Sequence, residues 1–593
     1  VTGVQTCALP IFIFDCLKKG RGIDMKLKKL VALALTATML VGCGGGSGSS
    51  DENAISIDLT QEPPQMNSIL TSSTGSGNVL RHCMEGLVSL DENSEPVPGM
   101  AESWDVSADY RTVTFHLRKG AKWSSGEEVT AKDFVFALDQ LFTTSNAAPY
   151  SGTWAPRIVG AEAYMAATEK LATAESKLAK LKKDGKDTKE AEEAVKEAEA
   201  EVATAYESIG YKAEDDYTLT FNLTGPYEYF VALTAFYNFL PVNEEEFNKL
   251  GGIESYATEA DKMVYNGPFV ITNWTHEDSI VLEKNPDYWD ADSIKLDKIT
   301  FRMIKDSNTR LNEYQAGSID VIELTGDQVQ DLQKEDQYKD LIKEFDDGSN
   351  FYLQYNVTRP GLNNANIRKA ITYAVDAQQF IDSIVKNGST VANSFTPPAI
   401  NNGEFTASVG DVYHRDSVDP KALLEQGLAE TGLTVDELKF TMIADDTDSA
   451  KTYAAFVQEQ VKSKLGVTIE VKAETYKARI NDMNNHNFDI VFAGWGPDYN
   501  DPMTFLDLFV TGAGNNSGLY SNPTYDSLVE QANAEADQTR RNELMVQIEQ
   551  ILAQDCPIGY VYNRKKSYIT SERVKGLVRT AFSDIDARHA SVK

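Results

Sequence analysis

Between residues 440 and 492 the chain alternates apolar runs of strand length with amphipathic stretches of helix length, an order that few topologies accept. The pattern predicts strands over 440–443, 467–471 and 488–492, separated by helices over 449–465 and 476–483. An earlier helix starts at Asp419-Pro420, turns Leu423, Leu424 and Leu428 inward, and closes at Gly432. A βαβαβ series of this kind predicts a three-layer α/β unit on a mostly parallel sheet. Ligands of such sheets bind beyond the carboxyl ends of the strands. FAGWGPDYN (492–500) stands at one such end, with Gly494 and Gly496 on either side of Trp495 and Asp498 after Pro497. Two readings stay open for this stretch: a surface turn with one packed Trp, or the rim of a binding site.

A chain of 593 residues is too long for one core, so three or four compact units are expected. The formal net charge of −33 repels nucleic acid and anionic head groups, and its plain use is solubility. The five cysteines (Cys7, Cys16, Cys43, Cys83, Cys556) form no CxxC pair, and the six histidines are scattered. Neither a metal site nor a cofactor is expected on that basis. Cys83 and Cys556 are two lone thiols, to be paired or simply buried.

From Met25 the chain reads MKLKKLVALALTATMLVGC. Three lysines precede an apolar run over 30–41, too short to span a bilayer, which needs roughly 20 residues, but of signal-peptide length. Leu40-Val41-Gly42-Cys43 resembles a bacterial lipobox, which implies a leader over 25–42, lipidation at Cys43 and anchoring to the outer face of the membrane. Residues 43–53 (CGGGSGSSDEN) read as a hydrophilic tether. Residues 1–24 precede a complete leader and resemble translated adapter sequence, so they are expected to be an artefactual extension.

Farther along, AISIDL (54–59) and TVTFHL (112–117) alternate with period two, the second placing Val113, Phe115 and Leu117 on one face. Thr130 is placed to cap a helix with Phe134, Val135, Ala137, Leu138 and Leu141 as its apolar stripe. Residues 161–206 differ in texture. Tyr164, Ala167, Leu171, Ala174, Leu178 and Leu181 recur at three- and four-residue steps, and Ala191, Val195, Ala198, Val202 and Ala205 repeat them after Asp184-Gly185. Two such seams predict an antiparallel helical hairpin, each arm projecting about 30 Å. It is either a contact arm or a solvated insertion.

The stretch AESWDVSADYRTVTFHLRKGAKWSSGEEVTAKDFVFAL (101–138) resembles the signature of the family 5 extracellular solute-binding proteins, the peptide/nickel class of ABC-importer receptors. The resemblance continues at YNGPFVITNW (265–274), LEKNPDYWD (282–290), AGSIDV (316–321), NIRKAITYAVD (366–376) and DPKALLEQG (419–427). It implies a two-lobed periplasmic-binding-protein-like α/β fold with an extra domain and a hinge of two crossing segments, near 301–305 and 562–566. Lobe I would comprise 54–84, 219–302 and 565–593, its extra subdomain 85–218 with the hairpin inside it, and lobe II 303–564.

In the peptide-binding members an Asp after the Gly-Trp pair holds the ligand's amino group. Carried over, this is Asp498 after Gly494-Trp495, with Trp495 lining the pocket. Tyr476 and Tyr150 fall at two further aromatic positions, and Thr74 lies in the segment whose backbone pairs with an extended peptide. Phe492 stands where a basic residue can read the ligand's carboxyl end. The implied function is a monomeric, lipid-anchored receptor, not an enzyme, that passes oligopeptides to an ABC permease. Nickel, haem or oligosaccharide capture is the alternative within the family. A hydrolase using paired carboxylates such as Asp498 and Asp501 is the alternative outside it.

Overall fold

A computed structural model describes residues 53–593. The expected extension, leader and anchor residue Cys43, and all of the tether but Asn53, lie outside the described residues. One curled sheet runs through the molecule. Across it lie, in order, Thr468–Glu474, Lys439–Asp445, Ile490–Trp495, Ile342–Tyr355, Ile558–Thr570, Val321–Leu324, Ala54–Asp58, Lys298–Arg302, Ser279–Lys284 and Phe269–Thr275.

The first three strands are the expected βαβαβ unit, with Lys439–Asp445 parallel to both neighbours. Their crossover helices are Asp448–Leu465 and Tyr476–Asn484. The Thr447 hydroxyl accepts from the Ala450 N–H to start the former, and Gly466 ends it in the left-handed region (φ 75°). Its buried face is Ala454, Val457, Val461 and Leu465, at three- and four-residue spacing. At the other end of the sheet Ala54–Asp58 is parallel to Lys298–Arg302 and to Val321–Leu324.

The two long strands Ile342–Tyr355 and Ile558–Thr570 join these halves. Near Thr570 the second runs beside Val321–Leu324 on one side and the first on the other; from Asn350 onward the first also pairs with Ile490–Trp495. Their register breaks between Asp346 and Asn350, opposite Asn563–Lys565, so the ladder is interrupted where it passes from one half to the other. The fold is thus a two-lobed α/β architecture crossed by two extended segments. One buried cluster lies within the half built on the βαβαβ unit, with Leu353, Ile371, Phe380, Met442, Val457 and Tyr562; a larger one holds Ile55, Leu282, Ile299 and Phe301 and continues across to Ile443, Val491 and Ala493.

A separate four-stranded antiparallel sheet holds Thr112–Leu117 between Ala101–Val106 and Thr218–Asn222. Val113, Phe115 and Leu117 are buried in it, as their alternation requires. Beside it the Asp133 carboxylate accepts from the Thr130 N–H at 2.7 Å and starts the helix Ala131–Phe142.

The hairpin is present as Ala161–Lys183 and Lys189–Glu207, turning at Gly185 (φ 65°). Its base is buried at Ala161, Tyr164, Ala167 and Thr168, and the small residues Ala191 and Ala198 of the second arm are buried in the seam, where Leu171, Leu178 and Leu181 are half-buried. Tyr206 and Tyr211 donate to Asp139 at 3.0 and 2.8 Å and fasten the base to the subdomain. Cys83 and Cys556 are both buried and free.

One local expectation differs. The strand expected over 488–492 runs instead over Ile490–Trp495, because Asn350 and Phe351 continue the ladder opposite Trp495 and Gly494. Gly494 therefore does not open the backbone. It makes room, since a β-carbon there would sit 2.6 Å from Cζ of Phe351. Thr74 is the first residue of the helix Thr74–Cys83, whose Ser73 cap accepts from the Ser76 N–H.

Candidate functional site

Beyond Trp495 the chain leaves the sheet and folds back on the short helix Met503–Leu506. The Asp498 N–H donates to Thr504 Oγ1 at 2.8 Å, which fixes the direction of its side chain. Three residues on, Asp501 is held by both prongs of the Arg541 guanidinium at 2.6 and 2.8 Å and accepts from the Met503 N–H. That buried fork uses the second carboxylate that a paired-carboxylate hydrolase would need.

Asp498 has a different environment. The Tyr150 hydroxyl lies 3.1 Å from each of its carboxylate oxygens, and among the described residues it has no ion-pair partner. Tyr150 is 1% exposed, stacked on Trp154 at 5.3 Å and edge-on to Phe236 and Tyr237. The surface that Asp498 keeps faces a cavity lined from both lobes. Burial pushes its carboxyl well above the usual carboxylate range; the Tyr150 hydrogen bond and the Arg157 charge pull it back, while Asp507 adds to the rise. A cation delivered into the cavity would reverse that penalty.

The cavity holds about 200 Å³. Thr74, Tyr150, Tyr476, Gly494, Trp495 and Asp498, six residues from four stretches of the sequence, all line it. Tyr476 opens the helix Tyr476–Asn484 with Arg479 5.0 Å from its ring centroid. The ring of Trp495 lies 6.0 Å from that of Tyr150. Aromatic walls of this kind offer apolar contact without selecting one side chain.

Phe492 does not reach the cavity. Alternation along the strand puts it on the face opposite Ala493 and Trp495, among Phe351, Phe380 and Tyr453 at 6.2, 5.9 and 6.1 Å. The cationic wall comes from elsewhere: Arg479, on Asp445 at 2.6 Å, and Arg564, on Asp347 at 2.8 Å. Arg479 is one helical turn from Tyr476 and could have been found by that spacing. Arg564 lies on Ile558–Thr570, where no local pattern marks it.

Residues 95–517 match the profile described as bacterial extracellular solute-binding proteins, family 5. The oligopeptide-binding protein OppA of Bacillus subtilis is 31% identical over 581 residues, covering 95% of this chain and 99% of the relative. The dipeptide-binding protein DppE of the same organism is 30% identical with the same coverage. Among solved structures, Listeria monocytogenes OppA bound to peptide is 30% identical with a TM-score of 0.78, over 92% of this chain and 99% of that one.

Proposed function

Because the chain belongs to the family 5 bacterial extracellular solute-binding proteins, we propose that it captures oligopeptides outside the cytoplasm and delivers them to an ABC importer. The observation that carries this reading is Asp498, a carboxylate held by a tyrosine hydroxyl on a cavity wall and without a cation partner among the described residues. A peptide's amino terminus supplies one. A charge-assisted hydrogen bond of this kind is worth about 1.5–3 kcal/mol. Trp495, Tyr476 and Tyr150 would flank the first residues of the peptide. Its main chain would find partners in the backbone at Gly494 and around Thr74, which satisfies any sequence equally.

In this reading the lobes divide as the resemblance implies, with 54–84, 219–302 and 565–593 in lobe I, 85–218 as its subdomain and 303–564 as lobe II. They close on the peptide about the two crossing segments near 301–305 and 562–566, and the permease recognises the closed form. The protein acts as a monomer, tethered by a lipid on Cys43, and turns nothing over. Isothermal calorimetry with alanine tri- to pentapeptides, against the same peptides N-acetylated, tests the reading. The free peptides bind at least tenfold more tightly; equal binding removes the role of Asp498, and turnover of any peptide removes the receptor.

A further inference from the structure

Behind the Tyr150–Asp498 contact, away from the cavity, lies a buried ionic cluster. Arg157 is 1% exposed, and its Nη2 donates to Asp507 Oδ2 and to the Tyr499 hydroxyl, both at 2.5 Å. Its Nη1 donates to the Thr153 carbonyl at 2.5 Å, and its Nε to the Tyr229 hydroxyl at 3.3 Å. Tyr499 also donates to Asp507 Oδ2 at 3.3 Å and stacks on Tyr229 with centroids 4.5 Å apart. Asp507 Oδ1, in a residue 6% exposed, has no hydrogen-bond partner among the described residues.

Each half of the Tyr150–Asp498 contact is one short rigid piece away from this cluster. Tyr150 immediately precedes the helical turn Ser151–Trp154, and Arg157 closes the 3-10 turn that follows. Asp498 is tied through its N–H to Thr504, on the helix Met503–Leu506 that Asp507 terminates. The first piece also packs closely on the chain beyond Asp507, where a β-carbon at Gly514 would collide with the Pro149 carbonyl. Arg157 thus joins two segments 350 residues apart.

We infer that Arg157, through Asp507, is the positioning residue that assembles the amino-terminus site, holding the Tyr150 hydroxyl and the Asp498 carboxylate in register. The inference rests on the peptide-binding reading. It carries an electrostatic corollary, because Arg157 and Asp507 act on Asp498 with opposite signs; the Tyr150 and Tyr237 hydroxyls are the other titratable groups facing that carboxylate. Removing the guanidinium makes Asp498 harder to ionise, and removing the Asp507 charge makes it easier.

The test titrates wild type, Arg157→Gln, Asp507→Asn and the double variant with tri-alanine and N-acetyl-tri-alanine between pH 4.5 and 8. Arg157→Gln is expected to lose at least tenfold for the free peptide at pH 7, with its acid-side midpoint moved up. Asp507→Asn moves that midpoint down, the double variant lies between them, and weak binding of the acetylated peptide is unchanged throughout. Midpoints that do not move, or equal losses for both peptides, overturn the inference. Should Arg157→Gln not fold, Asp507→Asn and the double variant decide it by the direction of the midpoint. A wild type that does not distinguish the two peptides overturns the peptide reading and this inference together.

Discussion

Within ten residues the chain places three carboxylates in two kinds of surroundings. Asp501 and Asp507 are buried against Arg541 and Arg157. Asp498, on the cavity side of the same loop, has only a phenol among the described residues. A buried carboxylate without a cation is costly, and folding alone gives no reason to keep one. The ionic chemistry of this loop is divided: the back is complete in the protein itself, and on the proposed reading the front is completed by the peptide that enters the cavity.

The largest test of that division lies at the back. Asp501→Ala leaves Arg541 buried without its partner and should destabilise the fold by about 3–5 kcal/mol in denaturant unfolding. Asp498→Asn should do the reverse to the ligand-free protein and stabilise it. If the two substitutions destabilise alike, the division is wrong.

The pH dependence follows from the raised carboxyl of Asp498. Its folded-state value lies above the unfolded one, so ionisation is harder in the folded protein. The stability this group contributes is present below the ordinary carboxylate range and is lost as pH rises through the elevated folded value. Unfolding of ligand-free wild type and Asp498→Asn should therefore diverge upward from the carboxylate range, the variant becoming relatively more stable, and saturating peptide should narrow the gap. Parallel curves would show that Asp498 already has a counter-charge.

The smallest effect belongs to the surface of the hairpin. Lys170 and Glu201 meet at 2.6 Å with side chains 64% and 52% exposed. Glu201→Gln should change unfolding free energy by about 0–1 kcal/mol and leave peptide affinity unchanged. That contrast with Asp501 shows that burial, more than pairing, sets the scale.

Much of this was legible in the sequence. The βαβαβ order of 440–492, the alternation of TVTFHL and the hairpin seams each carry a period that secondary structure imposes. The end of the strand at Trp495 was not, because it depends on how far the neighbouring strand continues the ladder. Meeting of the six expected residues in one cavity followed from family resemblance, since nothing local links Tyr150 to Asp498. The facing of Phe492 was readable by counting alternate residues back from Trp495. Arg157 and Asp507 were illegible: each reads as an ordinary surface charge, and their partnership spans 350 residues.

The central claim is that Asp498 awaits a peptide's amino group. Calorimetric titration of wild type and Asp498→Asn at pH 7 with tri-alanine and N-acetyl-tri-alanine tests it most directly. The account predicts that wild type prefers the free peptide by roughly ten- to a hundredfold, and that Asp498→Asn binds both weakly and equally. A variant that keeps the wild-type preference for the free amino terminus would contradict it.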